Sequence, residues 1–172
     1  MNALPELQHN YIMVKSGVAQ VSCCIAWAID RLQADEEGDD LDVVLLAAAT
    51  DGAEAMPLVE KILEKYLGPA VLNEQFVAGK YISELWRAYR AKSFSRDMVD
   101  GILSKLYYRL GYPNWLTMLR RNCEYATDVH AFRIPFEDEF AYIAGLWEES
   151  ASLDEFMKMY DREVSNSHDI RR

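Results

Sequence analysis

Apolar residues recur at helical spacing along almost the whole chain, and this periodicity constrains the fold more than any other feature of the sequence. Side chains three or four positions apart share one face of a helix, so each such stripe predicts an amphipathic helix. The stripes cover residues 17–34, 41–50, 57–67, 73–89, 95–110, 114–123, 135–147 and 153–164. They predict an all-α protein of seven or eight helices.

The ends of these stripes carry residues that cap helices. Ser16, Asp40 and Ser95 precede three stripes, where a side-chain oxygen can accept a hydrogen bond from a backbone N–H. Gly68 and Gly111 follow two others, as expected where a helix ends in the left-handed conformation. Short connections then predict antiparallel αα-hairpins, arranged as a compact bundle or as a short HEAT-like array.

Several finer predictions follow from the same pattern. Residues 41–50 are apolar on nearly every side, so we expect a central, buried helix. Pro57 and Pro135 stand where helices can begin, and residues 126–134 lose the period and predict a loop. The central positions of the stripes predict a core that includes Leu85, Trp86, Ile102, Leu106, Phe140 and Trp147.

A length of 172 residues is typical of one domain, so we expect residues 1–172 to form a single helical domain. Residues 1–15 and 165–172 are candidates for frayed ends. No apolar stretch approaches the roughly 18 residues of a membrane span, and we expect no membrane association. Three cysteines, two of them adjacent, make a poor disulfide framework and favour a reducing, cytoplasmic location.

Charge is distributed unevenly along the chain. Residues 1–68 hold 4 basic and 12 acidic side chains, residues 69–134 hold 10 and 6, and residues 135–172 hold 4 and 10. The net charge of −10 predicts attraction to cationic partners and repulsion from nucleic acid. We therefore expect the partner to be another protein, and a basic one.

The sequence contains none of the short motifs that mark phosphate-binding loops, zinc proteases or serine hydrolases. Glu124, Asp128 and His130, with Cys123 nearby, come closest to a dispersed catalytic site. Asp128 and His130 lie two positions apart, however, and such side chains converge only in an extended or irregular segment. We expect no catalytic residue, no cofactor and no metal site, and hence a protein that is not an enzyme.

Six carboxylates form a dense acidic run: Asp35, Glu36, Glu37, Asp39, Asp40 and Asp42. The run is not a calcium loop, because Val44 stands six positions after Gly38, where that loop needs glutamate. It can be a solvated loop whose aspartates favour the N-terminus of the next helix. It can also be a patch that docks against Lys and Arg of a partner. Both interpretations can hold together, because capping uses only one or two carboxylates.

The middle of the chain is basic and aromatic, with cations at Lys80, Arg87, Arg90, Lys92, Arg96, Arg109, Arg120 and Arg121. Interleaved aromatic and basic residues can bind single-stranded nucleic acid. Here Trp86 and Tyr89 lie on an apolar stripe, so we expect the rings to be structural. We expect the cations to pair with the acidic flanks, and no nucleic-acid binding.

In size, acidity and the hairpin-like segment 41–67, the chain resembles the bacterial immunity proteins that neutralise toxins by direct binding. The resemblance implies a cytoplasmic inhibitor that covers the active site of a basic toxin, in many cases a nuclease. It assigns no role to an individual residue. Two alternatives stay open: a HEAT-like adaptor or scaffold, and an enzyme with a dispersed site.

Overall fold

The structure, a computed structural model, describes the backbone of residues 3–169 and the side chains of residues 3–162. All regular elements in that part of the chain are helical, which confirms the all-α class. The α-helices are α1 (Leu4–Lys15), α2 (Ser22–Gln33), α3 (Leu41–Ala48), α4 (Gly52–Leu67), α5 (Glu74–Arg90), α6 (Arg96–Arg109), α7 (Asn114–Asp128), α8 (Arg133–Glu149) and α9 (Leu153–Asp169). Short 3₁₀ turns cover Pro69–Leu72 and His130–Phe132. None of the described helices is long and apolar enough to cross a membrane.

The chain divides into two compact units, residues 1–73 and residues 74–172. In the first unit, α3 packs against both α2 and α4, and α1 also contacts α2 and α4. In the second unit, α8 packs against α5, α7 and α9, and α6 packs against α7. The expectation of a single domain stays a prediction.

The first unit includes a helix where a frayed end was expected. On α1, Leu7 and Tyr11 are buried, and this burial explains why residues 4–15 form a stable helix. The indole N–H of Trp27 on α2 donates to the carbonyl of Ala3 at 2.9 Å, which fixes the start of α1. Of the second candidate for fraying, residues 165–172, the backbone continues as helix α9 to Asp169, and the last three residues lie outside the described part of the chain.

Two of the predicted N-caps are confirmed and one is wrong. Asp40 accepts from the N–H of Asp42 at 3.0 Å and caps α3. Ser95 accepts from the N–H of Met98 at 3.3 Å and caps α6. Ser16, in contrast, ends α1, and α2 begins six residues later at Ser22.

Two helix boundaries also differ from the prediction. The helix expected from Pro57 begins at Gly52, because the Asp51 carboxylate accepts from the N–H groups of Ala53 and Glu54 and caps it. Pro57 lies inside α4. The segment 126–134, predicted as a loop, is largely helical: α7 extends to Asp128, a 3₁₀ turn follows, and α8 begins at Arg133.

Hydrogen bonds show that α5 and α8 run antiparallel. Lys80 Nζ donates to the carbonyl of Trp147 at 2.6 Å, near the start of α5 and the end of α8. Tyr89 Oη donates to Glu137 at 2.9 Å, at the opposite ends of the two helices. This antiparallel pair is not one of the predicted αα-hairpins, because those join sequential helices.

The core of the second unit is aromatic and mostly as predicted. Leu85, Leu106, Phe140 and Trp147 are buried. Trp86 and Ile102 are half-buried instead, because each lies at the edge of its helix's apolar face.

Candidate functional site

The acidic run forms the connection between α2 and α3. Asp35, Gly38 and Asp39 adopt positive φ angles of 56°, 63° and 59°. Asp35 ends α2, and the N–H of the next residue, Glu36, donates back to the carbonyl of Arg31 at 2.9 Å. Left-handed residues at a helix end reverse the chain direction sharply. The run is therefore a defined turn, which we call the acidic loop (residues 35–40).

The first four carboxylates of the run lie at or near the surface. Asp35, Glu36 and Asp39 are exposed, and Glu37 is half-buried. Glu36 pairs with Arg31 at 2.8 Å. Exposed ion pairs of this kind contribute little to stability, so a cation of a partner could replace Arg31 at little free-energy cost.

Asp40 and Asp42 have a different environment. Asp40 is 4% exposed, and its Oδ2 accepts from Lys65 Nζ at 2.9 Å and from Tyr66 Oη at 2.6 Å. Lys61 Nζ donates to the buried Asp42 at 2.7 Å. Both carboxylates are thus paired with α4. The carboxylates of the run that face solvent are those of Asp35, Glu36 and Asp39, while one carboxylate oxygen of Glu37 is buried.

The pKa of Asp40 follows from these contacts. Burial favours the neutral carboxyl and would raise the pKa, but hydrogen bonds from Tyr66, Lys65 and the N–H of Asp42 outweigh it and hold the pKa below its ordinary value. Asp40 is therefore ionised at neutral pH. It acts as a structural anion that joins the start of α3 to the end of α4.

The helix that follows the acidic loop exposes apolar side chains. Leu41 is 66% exposed, Leu45 46% and Val44 38%, whereas Val43 and Leu46 are buried. The prediction that residues 41–50 form a wholly buried helix is therefore wrong. The helix spans only eight residues and is covered by α2 and α4 through Val43 and Leu46, which leaves its other side in solvent.

The exposed residues of α3 follow helical spacing. Leu41, Val44 and Leu45 occupy positions i, i+3 and i+4, so they share one side of the helix, which we call the α3 face. Contiguous apolar surface rimmed by polar residues marks protein-interaction sites. The acidic loop leads directly into this face, which places carboxylates at its N-terminal end.

Comparisons were made with protein-family models, curated proteins and solved structures. None of them matches the chain. The α3 face and the acidic loop therefore have to be interpreted from their own chemistry.

The candidates for a dispersed catalytic site do not form one in the described part of the chain. Glu124, Asp128 and His130 are all exposed, and Glu124 pairs with Arg120 at 3.1 Å. Neither a hydrogen bond nor an ion pair joins Asp128 to His130. Burial, and then the charge of Asp100, raises the pKa of the Cys123 thiol to about 12, so this cysteine is protonated and a poor nucleophile.

The basic residues of the second unit divide into two groups. Arg87 pairs with Glu148 of the acidic flank, as expected, and also with Glu84. Arg120 pairs with Glu124, which belongs to the basic middle segment and not to a flank. The prediction of internal pairing is wrong for Lys80, Arg109 and Arg121, which form no ion pair within the described residues, and equally for Arg90, Lys92 and Arg96. The absence of any carboxylate between residues 85 and 96 is the sequence signal that could have indicated this for the last three.

Proposed function

We propose that the chain is a protein-binding inhibitor that docks on a basic protein through the α3 face and the acidic loop. The observation that carries the proposal is the exposure of Leu41, Val44 and Leu45 directly after a loop of solvent-facing carboxylates. An apolar centre with a charged rim is the usual anatomy of a protein interface. The partner of matching chemistry has an apolar patch beside lysines and arginines.

The charge of the first unit supports the same partner. Residues 1–73 carry 4 basic and 12 acidic side chains, a net charge of −8. A field of this sign accelerates the approach of a cationic protein and repels anionic competitors. Taken with the resemblance in size, acidity and helical character, this favours a bacterial immunity protein that neutralises a basic toxin, such as a nuclease, in the cytoplasm.

The test starts with a defined partner, the protein encoded beside this chain's own gene. Inhibition of its activity is measured with the parent chain and with two variants of the proposed interface. The charge variant is Glu36→Gln/Glu37→Gln/Asp39→Asn, which spares Asp40 and its cap. The apolar variant is Leu41→Ser/Leu45→Ser.

The two variants are expected to act on different rate constants. Loss of three carboxylates should slow association and flatten its salt dependence, because steering is electrostatic. Loss of two leucines should mainly speed dissociation, with affinity reduced about tenfold or more, because buried anchors determine complex lifetime.

A matched control changes three exposed carboxylates of the second unit, Asp138→Asn/Glu149→Gln/Asp154→Asn, and should bind like the parent. Equal association and dissociation rates for all four proteins would show that the α3 face and the acidic loop are not part of the interface. A partner that binds this surface and keeps its full activity would favour the adaptor or scaffold function instead.

A further inference from the structure

A cleft in the second unit is lined by several basic residues, and three of them, Arg90, Lys92 and Arg96, form no ion pair within the described residues. Its volume is about 640 Å³. Its basic lining consists of Arg90 and Lys92 from the end of α5, Arg96 from the start of α6, and His130 and Arg133 from the segment before α8. Tertiary structure thus joins a basic sequence segment to two basic residues more than 30 positions away.

The cleft contains a single carboxylate, and that carboxylate is already engaged. Glu137 accepts from Arg133 Nε at 3.1 Å and from Tyr89 Oη at 2.9 Å. Arg90, Lys92 and Arg96 form no ion pair within the described residues, although the charge of Arg90 helps to lower the pKa of Glu137 and its guanidinium lies 5.4 Å from the centroid of the Trp86 ring. Like charges gathered in a concave site repel one another, so a bound anion would stabilise the arrangement.

Two of the cations that line the cleft have unusual local environments. Lys92 has a φ of +60°, a left-handed conformation that glycine adopts at lower free energy. The Nε atom of Arg96 is buried and has no hydrogen-bond partner in the described structure. An unsatisfied guanidinium N–H is a donor without an acceptor, and it lies among the residues that line the cleft.

The start of α6 adds to the positive potential. Ser95, which caps this 14-residue helix, and Arg96, its first residue, both line the cleft. The N-terminus of a helix carries a partial positive charge and favours anions. The helix N-terminus strengthens the positive potential of the cation cluster. Without that cluster the helix N-terminus alone would not define a site.

We propose that this cleft binds a phosphorylated small molecule of nucleotide size, with its phosphate groups held by Arg90, Lys92 and Arg96. Phosphate oxygens match the donor fork of arginine and accept from a lysine ammonium. The volume lies in the range of small-ligand sites, roughly 300–1,000 Å³. Phe94 and Tyr89 complete the lining and supply aromatic surface for the non-phosphate part.

The inference is independent of the proposed inhibitor function. Every residue of the cleft belongs to the second unit, and none belongs to the acidic loop or the α3 face. Either proposal can therefore fail without the other.

The test is calorimetric titration of the full chain at low ionic strength with pyrophosphate, with ADP and with adenosine. Pyrophosphate and ADP should bind with dissociation constants below about 1 mM, and adenosine should not. The variant Arg90→Gln/Lys92→Gln/Arg96→Gln should weaken both phosphate ligands by about tenfold or more. The control variant Lys105→Gln/Arg109→Gln/Arg121→Gln removes the same charge from exposed positions outside the cleft and should bind like the parent.

A fourth variant separates binding from folding. Lys92→Gly removes one cation and also relieves the left-handed strain, so its unfolding midpoint should rise while its affinity for pyrophosphate falls. Weaker binding by a more stable protein cannot be attributed to unfolding.

Three results would overturn the proposal. The first is absence of pyrophosphate and ADP binding by the parent at millimolar concentration. The second is equal binding by the cleft and control variants, which would mean attraction to general surface charge. The third is tighter binding of a single-stranded oligonucleotide than of ADP in the same cleft, which would show that the cleft binds the phosphates of a nucleic acid.

Discussion

Gly79 on α5 lies directly against the indole ring of Trp147 on α8. A Cβ atom at residue 79 would overlap three atoms of that ring. The ring has no room to retreat, because it stacks on Phe156 with centroids 3.7 Å apart and planes 6° from parallel. Residue 79 must be glycine because α5 and α8 leave no space there for a side chain. Its backbone is ordinary helix, so glycine is not required for a special backbone conformation.

We therefore expect Gly79→Ala to destabilise the protein by about 1–3 kcal/mol, the usual effect of overpacking a core. Gly101→Ala is the matched control. Gly101 also lies inside a helix, α6, but a Cβ there meets open space. The Gly101→Ala variant should therefore be more stable to unfolding than the parent by roughly 0.5–1 kcal/mol, because alanine has the higher helix propensity. Urea unfolding followed by circular dichroism measures both, and a Gly79→Ala midpoint equal to that of the parent would contradict the close packing.

Sequence could not predict this contact. Gly79 lies three residues from both Phe76 and Ile82 on the apolar stripe, but the spacing does not show which side chain packs against it, and that side chain lies 68 residues further along the chain. The burial of Trp147 was predictable from its apolar stripe, because periodicity reports which face turns inward. Which residue lies opposite depends on tertiary packing.

At the scale of the helices, Asp40 couples two neighbours. It caps α3 and pairs with Lys65 and Tyr66 near the end of α4, which makes these two helices antiparallel. The cap was predictable, because an aspartate before an apolar helix is a local signal. The pairing was not, because Lys65 and Tyr66 are 25 and 26 residues away.

The exposed side of α3 could not be predicted for a related reason. In an eight-residue apolar helix, composition does not tell which side the neighbouring helices cover.

The depressed pKa of Asp40 gives stability a pH dependence of known sign. A carboxyl with a lowered folded-state pKa stabilises the fold above its ordinary pKa of about 3.9. That contribution disappears as the pH falls through the lower folded-state value. Asp40→Asn should thus be less stable than the parent at pH 7, by about 1 kcal/mol because Lys65 is half-exposed.

The difference between parent and Asp40→Asn should begin to shrink as the pH drops below about 4. It should vanish once the pH is below the lowered folded-state pKa of Asp40, where both proteins carry a neutral side chain. Asp39→Asn provides the control, since Asp39 is exposed and asparagine tolerates its positive φ. Its stability should match that of the parent within about 0.5 kcal/mol at every pH. A constant Asp40→Asn deficit from pH 7 to pH 2 would exclude the ionic contribution.

At the scale of the whole molecule, two compact units occupy a chain that composition and length assign to one domain. The 3₁₀ turn Pro69–Leu72 ends one residue before Asn73, and α5 begins at Glu74. This junction contains no Gly- or Ser-rich linker of the kind that separates independent domains. Length predicts one domain, although the net charge changes from −8 over residues 1–68 to +4 over residues 69–134, close to the division at residue 73.

We expect a single cooperative unfolding transition, with calorimetric and van't Hoff enthalpies that agree. The Gly79→Ala variant makes the test more discriminating, because it lowers the stability of the second unit and leaves the residues of the first unit unchanged. In a single domain it should lower the midpoint of the entire transition. A separate, earlier transition in that variant would show that residues 1–73 and 74–172 unfold as two domains.

The aromatic cluster around Trp147 also has an optical consequence. The rings of Trp115 and Trp147 lie 5.0 Å apart at 71°, and Phe156 is stacked on the latter. Chromophores held rigidly in an asymmetric arrangement give strong near-ultraviolet dichroism, which vanishes when side-chain packing loosens even if helices persist. Trp27 is the one tryptophan of residues 1–73, so the indole bands are weighted towards residues 74–172. Polarised light at these wavelengths therefore reports mainly on the side-chain order of the second unit, while the peptide bands report on the helices of both.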